Sequence, residues 1–262
     1  MIMTITPSIK RDYLAKLAQN GKRADGRKFD EFRNIEIETN VISKAEGSAR
    51  VKIGNTQVIA GIKMDVGEPY SDSPESGVLT TAAELIPLAS PDFESGPPRE
   101  NAIELARVVD RGIRESGVVE VDKLCIEPKE KVWIVFIDIH IIDYDGNLFD
   151  TASLAALSAL LTTTVPAERL EVGKDYPLPL KEPPVSCTSV KYNEVVVLDP
   201  SLDENEIAEA RLTVATDKNG DIRAMQKGLN GSFTREEIQK VIKASIDNGK
   251  KIREQLYKST GK

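Results

Sequence analysis

Residues 131–165 constrain the fold of this chain more than any other stretch. The thirteen-residue run KVWIVFIDIHIID leads through the turn YDGNLFD into TASLAALSALLTTTV. A strand apolar on both faces needs neighbours on both sides and cover over the sheet, so the run predicts an inner strand. The stretch after it, dense in alanine and other small residues, predicts a helix that can pack closely across that sheet. The turn between them, DGNLFDTAS at 145–153, joins a strand to a helix. Such turns often bind phosphate, because the first N–H groups of a helix have no internal acceptor and lie at the positive end of its dipole.

The rest of the chain supplies the partners this unit needs. Residues 7–20 predict a helix with Ile9, Tyr13, Leu14 and Leu17 near a helical period. The basic segment NGKRADGRKFDEF breaks it, and RNIEIETNV and GSARVKIGNTQVIAGIKMDVG follow as strands with a hairpin turn at Gly54 and Asn55. VLTTAAELIPLA predicts a further strand between two loops rich in proline, serine and acid. PPRENAIELARVVDRGIRESG predicts a helix, with prolines before it, glycine after it and an apolar stripe of Ile103, Ala106, Val109 and Ile113. EVGKDYPLPLKEPPVS has the irregular, proline-rich character of a linker. Beyond it lie CTSVKYNEVVVLDP, a hairpin through KNGD, and a final helix from about Thr234 to Tyr257. The pattern predicts an α+β protein of two lobes joined near residues 175–185.

With 262 residues, 40% hydrophobic and 29% charged, the chain is long enough to bury a core without staples and too apolar for a disordered tail. No apolar run is long enough for a membrane span, and the N-terminal segment does not read as a secretory signal. Cys125 and Cys187 match no metal or redox spacing. A cytosolic protein without a membrane partner is expected. A net charge of -7 argues against a protein that coats nucleic acid by charge alone, so any such contact is local or shared with a partner.

Several residues invite a chemical reading, each beside a plainer one. His140, the single histidine, shares a strand face with Asp138, but its isoleucine neighbours favour a structural role. Asp199, Asp203, Glu204 and Glu206 have ligand chemistry for magnesium, yet no recognised spacing, and read as a solvated acidic loop. KRADGRK, residues 22–28, is either a basic anchor for RNA or a solvated loop. Arg107, Arg111 and Arg114 are spaced four and three apart and share one helix face, which suits a phosphodiester backbone. The alternative pairs Glu104 with Arg107 and Asp110 with Arg114 as surface ion pairs of small energetic weight.

Taken in order, RADGRKFDEFRNIEI, AEGSARVKIGNTQVIAGI, ENAIELARVVDRGIR and FTREEI resemble the RNase PH family of phosphorolytic exoribonucleases from about Arg23 to the last helix. Within that family the N-terminal helix and DGNLFD are most similar to the non-catalytic ring subunits of the archaeal exosome. The resemblance implies an RNase PH fold, with a lobe like domain 2 of ribosomal protein S5 followed by a smaller C-terminal α+β lobe. It also implies boundaries: a helical extension at 1–27, a first domain at 28–180 and a second at 186–262.

Active members attack the terminal 3′ linkage of RNA with inorganic phosphate, using a loop that reads aspartate, glycine, glycine, serine or threonine, arginine, threonine, alanine. Here the aligned loop is Asp145, Gly146, Asn147, Leu148, Phe149, Asp150, Thr151, Ala152. Leu148, Phe149 and Asp150 replace the hydroxyl and the guanidinium, and Asp150 is expected to repel phosphate. A glutamate, alanine, aspartate triplet becomes Glu209, Ala210, Arg211, so the general acid is replaced by arginine. A phosphate-facing arginine falls in register with Asn101, with Arg99 two residues away as a substitute.

The resemblance therefore implies a subunit with no catalytic residues, and neither a cofactor nor a metal is assigned. Its expected partners are an active RNase PH-like subunit in a trimer of heterodimers, RNA-binding cap proteins and single-stranded RNA. Arg107 and Arg111, and less directly Arg114, would reach that RNA. Two alternatives stay open at this point: an active exoribonuclease working through Asp138, Asp145 or Glu209, and a free-standing RNA-binding protein.

Overall fold

The computed structural model describes residues 8–262. Helix α1 (Ser8–Gln19) precedes strands β1 (Ile35–Thr39), β2 (Gly47–Ile53), β3 (Thr56–Gly67) and β4 (Val78–Leu85). Helix α2 (Glu100–Ser116), strands β5 (Cys125–Glu127) and β6 (Lys131–Asp143) and helix α3 (Leu148–Leu161) follow. The short strands β7 (Thr164–Val165) and β8 (Tyr176–Pro177), the latter within the proline-rich segment, pair antiparallel. The C-terminal part contains β9 (Val185–Tyr192), β10 (Val195–Leu198), α4 (Leu202–Glu206), β11 (Ala210–Thr216), β12 (Ile222–Gly228) and α5 (Arg235–Thr260).

The first sheet has the order β1-β2-β3-β6-β4, with β5 added against β6. The long apolar run is thus the inner strand that its composition predicts. It pairs antiparallel with β3 and parallel with β4, and α2 lies on the connection between the two parallel strands. Its two faces are not equal, however: Val135, Ile137, Ile139 and Ile141 are fully buried, whereas Ile134, Phe136, Asp138, His140 and Ile142 are only half-buried.

The second sheet, β10-β9-β11-β12, is antiparallel throughout. Asn193 and Glu194 both adopt positive φ (45° and 62°) at the β9–β10 turn, the left-handed pair that a two-residue hairpin requires.

Helix α3 lies between the sheets, and every residue from Asp150 to Leu161 is buried. Its alanines and serines pack against β2 and β3 on one side and β9 on the other, in one continuous core that includes Val51, Ile62, Ile139, Leu157, Cys187 and Leu256. Each fully buried leucine of this helix contributes roughly 1.5–3 kcal/mol. Helix α5 crosses between the lobes. Thr234 and Glu237 form a capping box at its start, and farther along Gln255 donates to the Ile35 carbonyl of β1. In α1, Leu14 and Ala18 are buried and Tyr13 is exposed, while the side chain of Ile9 lies outside the described residues. No helix among the described residues is long and apolar enough to cross a membrane.

The apolar face of α2 is rotated from the predicted stripe. Ala102, Leu105, Val109, Gly112 and Ile113 are buried, whereas Ile103 is 46% exposed and Ala106 half-buried. Helix α2 packs against β4 and α3, and which of its residues face them is a tertiary choice that sequence periodicity alone does not make. By helical period Ile103 stands among the arginines instead.

Candidate functional site

The β6–α3 turn is held by backbone geometry before any chemistry enters. Gly146 has φ +87°, and a Cβ there would lie 2.4 Å from the Ser201 carbonyl carbon and 2.5 Å from the Pro200 oxygen. Asn147, the N-cap of α3, is also left-handed (φ 50°) and 2% exposed. Its Nδ2 donates to Asp150 Oδ2 at 2.8 Å and to Asp199 Oδ1 at 2.7 Å, so the side chain cross-links two carboxylates and does not cap its own helix.

Asp150 corrects an expectation. Its carboxylate turns inward, where Oδ2 accepts from the Thr188 N–H at 2.8 Å and Oδ1 from the Thr188 hydroxyl at 2.7 Å. Complete burial pushes its pKa up to about 7, against the pull of its hydrogen bonds from Asn147 and Thr188. It is therefore not an anion repelling phosphate from an open loop. It sits in the first turn of α3 and meets the positive end of that helix from within the protein.

Arg211, at the start of β11, occupies the position of the lost acid. It is 9% exposed, its guanidinium lies 4.1 Å from the Phe149 ring centroid, and Nη2 donates to Glu104 Oε1 at 2.5 Å. Burial lowers its pKa, and Glu104 opposes that shift. Gly228 pairs with Arg211 across the β11–β12 ladder, and a Cβ there would come within 2.5 Å of Nη2, so the guanidinium in this position fills the space the glycine leaves. Phe149 and Arg211 thus occupy each other, and the cation is already neutralised.

Phe149, Arg211 and Glu104 line a cleft of about 300 Å³ with Leu148, Tyr144, Asn101 and Asn205. The charged lining is Asp92, Glu104 and Glu206 against the single guanidinium of Arg211. A phosphate entering it would meet an acidic wall. Arg99 offers no substitute, since it pairs with Glu94 outside this cleft. Among the alternative acids, Asp138 lies on the less buried face of β6, Asp145 is held by Asn55 and Arg33, and Glu209 faces Arg11; none of the three lines the cleft.

On α2 the three arginines separate. Arg114 is held by Asp110 through two hydrogen bonds (3.0 and 2.9 Å) and donates to the Leu79 carbonyl. Glu104 is taken by Arg211, which leaves Arg107 exposed and without a hydrogen bond or ion pair among the described residues. Arg111 is exposed and donates to the neutral Gln226 Oε1 at 2.6 Å. One of the two surface ion pairs weighed from the sequence forms, and the other does not.

Arg23 and Arg27 of the basic segment at 22–28 turn inward, while Lys22 and Lys28 stay exposed, and Asp199 and Glu204 of the acidic loop near 200 are buried, not solvated. The Arg23 side chain is fully buried and forks onto Glu204 through Nε (2.8 Å) and Nη2 (2.5 Å). Arg27 and Arg33 both bind Asp199, whose side chain is inaccessible. Burial pushes the Asp199 carboxyl up, but Arg33 and Asn147 outweigh it and hold the pKa below the ordinary carboxylate value. Glu204 also closes a capping box with Ser201 at α4. Two of the four carboxylates weighed as magnesium ligands, Asp199 and Glu204, are thereby taken by arginines. His140 pairs with Glu84 across β4–β6 at 3.4 Å and is half-exposed, less enclosed than its isoleucine neighbours predict.

Domain 1 of the 3′ exoribonuclease family matches residues 31–166, and domain 2 of the same family matches residues 182–248. The exosome complex component Rrp42 of Methanocella arvoryzae is 55% identical over 252 residues, covering 96% of this chain and 97% of that protein. Rrp42 of Archaeoglobus fulgidus is 53% identical over 252 residues, with the same coverage. A chain of the Archaeoglobus fulgidus exosome, solved with RNA bound to the active site, superposes with a TM-score of 0.92 at 53% identity, over 95% of this chain and 98% of that one. An archaeal exosome core chain gives 0.89 at 49% identity, over 95% and 96%. Matched in both domains and more than half identical to relatives along nearly its whole length, the chain belongs to the RNase PH family of 3′ exoribonucleases.

Proposed function

We propose that this chain is a catalytically silent ring subunit of an exosome. It alternates with an active RNase PH-like partner in a trimer of heterodimers that carries RNA-binding cap proteins, and it supports 3′-to-5′ phosphorolysis by shaping the partner's site and holding single-stranded RNA. The observation that carries the silent role is the closed set of contacts at the vestigial site: Phe149 under Arg211, Arg211 on Glu104, and Asp150 turned into the core. Phosphorolysis needs donors free to meet an incoming phosphate and an acid free to serve the leaving oxygen. Here the donor is neutralised and the acid is replaced.

The RNA role rests on Arg107 and Arg111, exposed cations that no carboxylate among the described residues neutralises. Arg114 is a weaker contributor, because Asp110 already compensates it. The relatives named above are exosome components, which supports ring membership over a free-standing protein. The test is a phosphorolysis assay on the purified chain alone and after mixing with the active partner. Phosphate-dependent release of nucleoside diphosphates is expected only from the mixture. Release from the chain alone would overturn the silent assignment, and failure to co-assemble would overturn ring membership.

A further inference from the structure

We propose that Gln226 is a positioning residue for RNA binding: a neutral strut on β12 that fixes the Arg111 guanidinium without cancelling its charge. The inference rests on the reading of Arg107 and Arg111 as RNA contacts. Strand β12 lies beside α2, and the even-numbered Ala224 and Gln226 are its less exposed side, forming a narrow seam with Val108, Arg111 and Gly112. The backbone of Gln226 is fixed in register opposite Thr213. Its Oε1 accepts from Arg111 Nη1 at 2.6 Å, while its own Nε2 has only a 3.5 Å approach to the Lys227 carbonyl.

The choice of an amide is the informative feature. The neighbouring guanidiniums of Arg114 and Arg211 are held by carboxylates, Arg114 by Asp110 and Arg211 by Glu104. A carboxylate at 226 would hold Arg111 equally well and spend its charge. An amide accepts one N–H and leaves the remaining donors and the full positive charge for a phosphodiester. It also removes in advance part of the rotamer freedom that an exposed arginine loses on binding. Arg107, one helical turn earlier, then adds a second cation beside a guanidinium that is already oriented.

The experiment is a titration of fluorescently labelled single-stranded oligoadenylate into the ring assembled with the active partner, in phosphate-free buffer. R111A is expected to weaken binding about tenfold. Q226A, which leaves the charge but removes the strut, is expected to cost about threefold in the wild-type background and nothing further in R111A. Q226E keeps an acceptor but neutralises the cation. It is expected to match R111A and to flatten the dependence of log affinity on log salt by about 0.7, the contribution of one phosphate contact to a single strand.

Ring assembly and melting temperature are followed alongside and should not change. Equal losses from Q226A in both backgrounds would overturn the positioning role, as would Q226E binding as tightly as wild type. If R111A itself binds like wild type, the RNA-binding reading of the arginines fails, and the role of Gln226 falls with it.

Discussion

Asp150 makes the stability of this protein depend on pH in a window where few groups titrate. Its carboxyl is fully buried, and its folded pKa of about 7 lies above the unfolded value near 3.8. The native state therefore keeps a proton that the unfolded chain has already released, and the stabilisation is complete below the unfolded pKa and lost as pH rises through 7. A rise of about three pH units corresponds to roughly 4 kcal/mol in all, of which roughly 2.5 kcal/mol falls between about pH 5 and about pH 8. Asp199, Asp217 and Glu237, whose pKa values are depressed, act in the opposite sense and at lower pH. Asp150→Asn isolates the effect. Its amide can donate to Thr188 Oγ1, whose hydroxyl then turns to Thr213 Oγ1, 2.8 Å away. Urea unfolding of both proteins at the two pH values should show the stability difference, wild type minus D150N, falling by roughly 2.5 kcal/mol at the higher pH. Parallel pH profiles would refute the reasoning, because every other titrating group is common to both proteins.

Other expectations concern the turn, the buried clamp and the arginine face. Gly146→Ala forces a Cβ into the backbone of Pro200 and Ser201 at positive φ, and should cost about 3 kcal/mol or more in thermal or urea unfolding. Glu204→Gln leaves the buried Arg23 without its counter-charge and should cost about 3–5 kcal/mol, measured the same way. Arg107→Glu combined with Arg111→Glu should leave ring assembly intact by mass measurement and weaken RNA binding by at least about tenfold at low salt. Unchanged RNA affinity in that double variant would remove the arginines from the proposed interface.

Local pattern was legible in the sequence, and long-range pairing was not. The inner strand, the glycine turn and the small-residue helix follow from composition and period, as do the hairpins at Gly54 and at KNGD. The errors have a common physical source. Arg23 and Glu204 lie 181 positions apart, and Arg27 and Asp199 lie 172 apart, so a basic segment and an acidic loop that each look solvated neutralise one another in the core. Asp150 turns inward because Thr188, on strand β9 of the second sheet, supplies two donors. Glu104 leaves Arg107, three residues away, for Arg211, which a sheet brings to it. Ser201 and Glu204 are spaced as a capping box, a local signal that marks a helix start and gives Glu204 a structural role.

The same pairing explains how an acidic chain can present a site for RNA. Arg23, Arg27, Arg33 and Arg211 are largely buried and neutralised by Glu204, Asp199 and Glu104, and Arg253 is buried against the carbonyls of Pro183 and Thr216. Arg50, Arg99, Arg114, Arg169 and Arg223 pair with carboxylates nearer the surface. Arg107 and Arg111 stand together on one exposed helix face and keep their charge among the described residues. Net charge sums over the chain, whereas a phosphodiester strand responds to the field within about a Debye length, ~10 Å at moderate salt. The overall -7 is therefore compatible with a local cationic face. The capture of Glu104 by Arg211 links the two halves of the proposed function, because the contact that fills the vestigial site also takes away the acid that helical spacing would have given to Arg107.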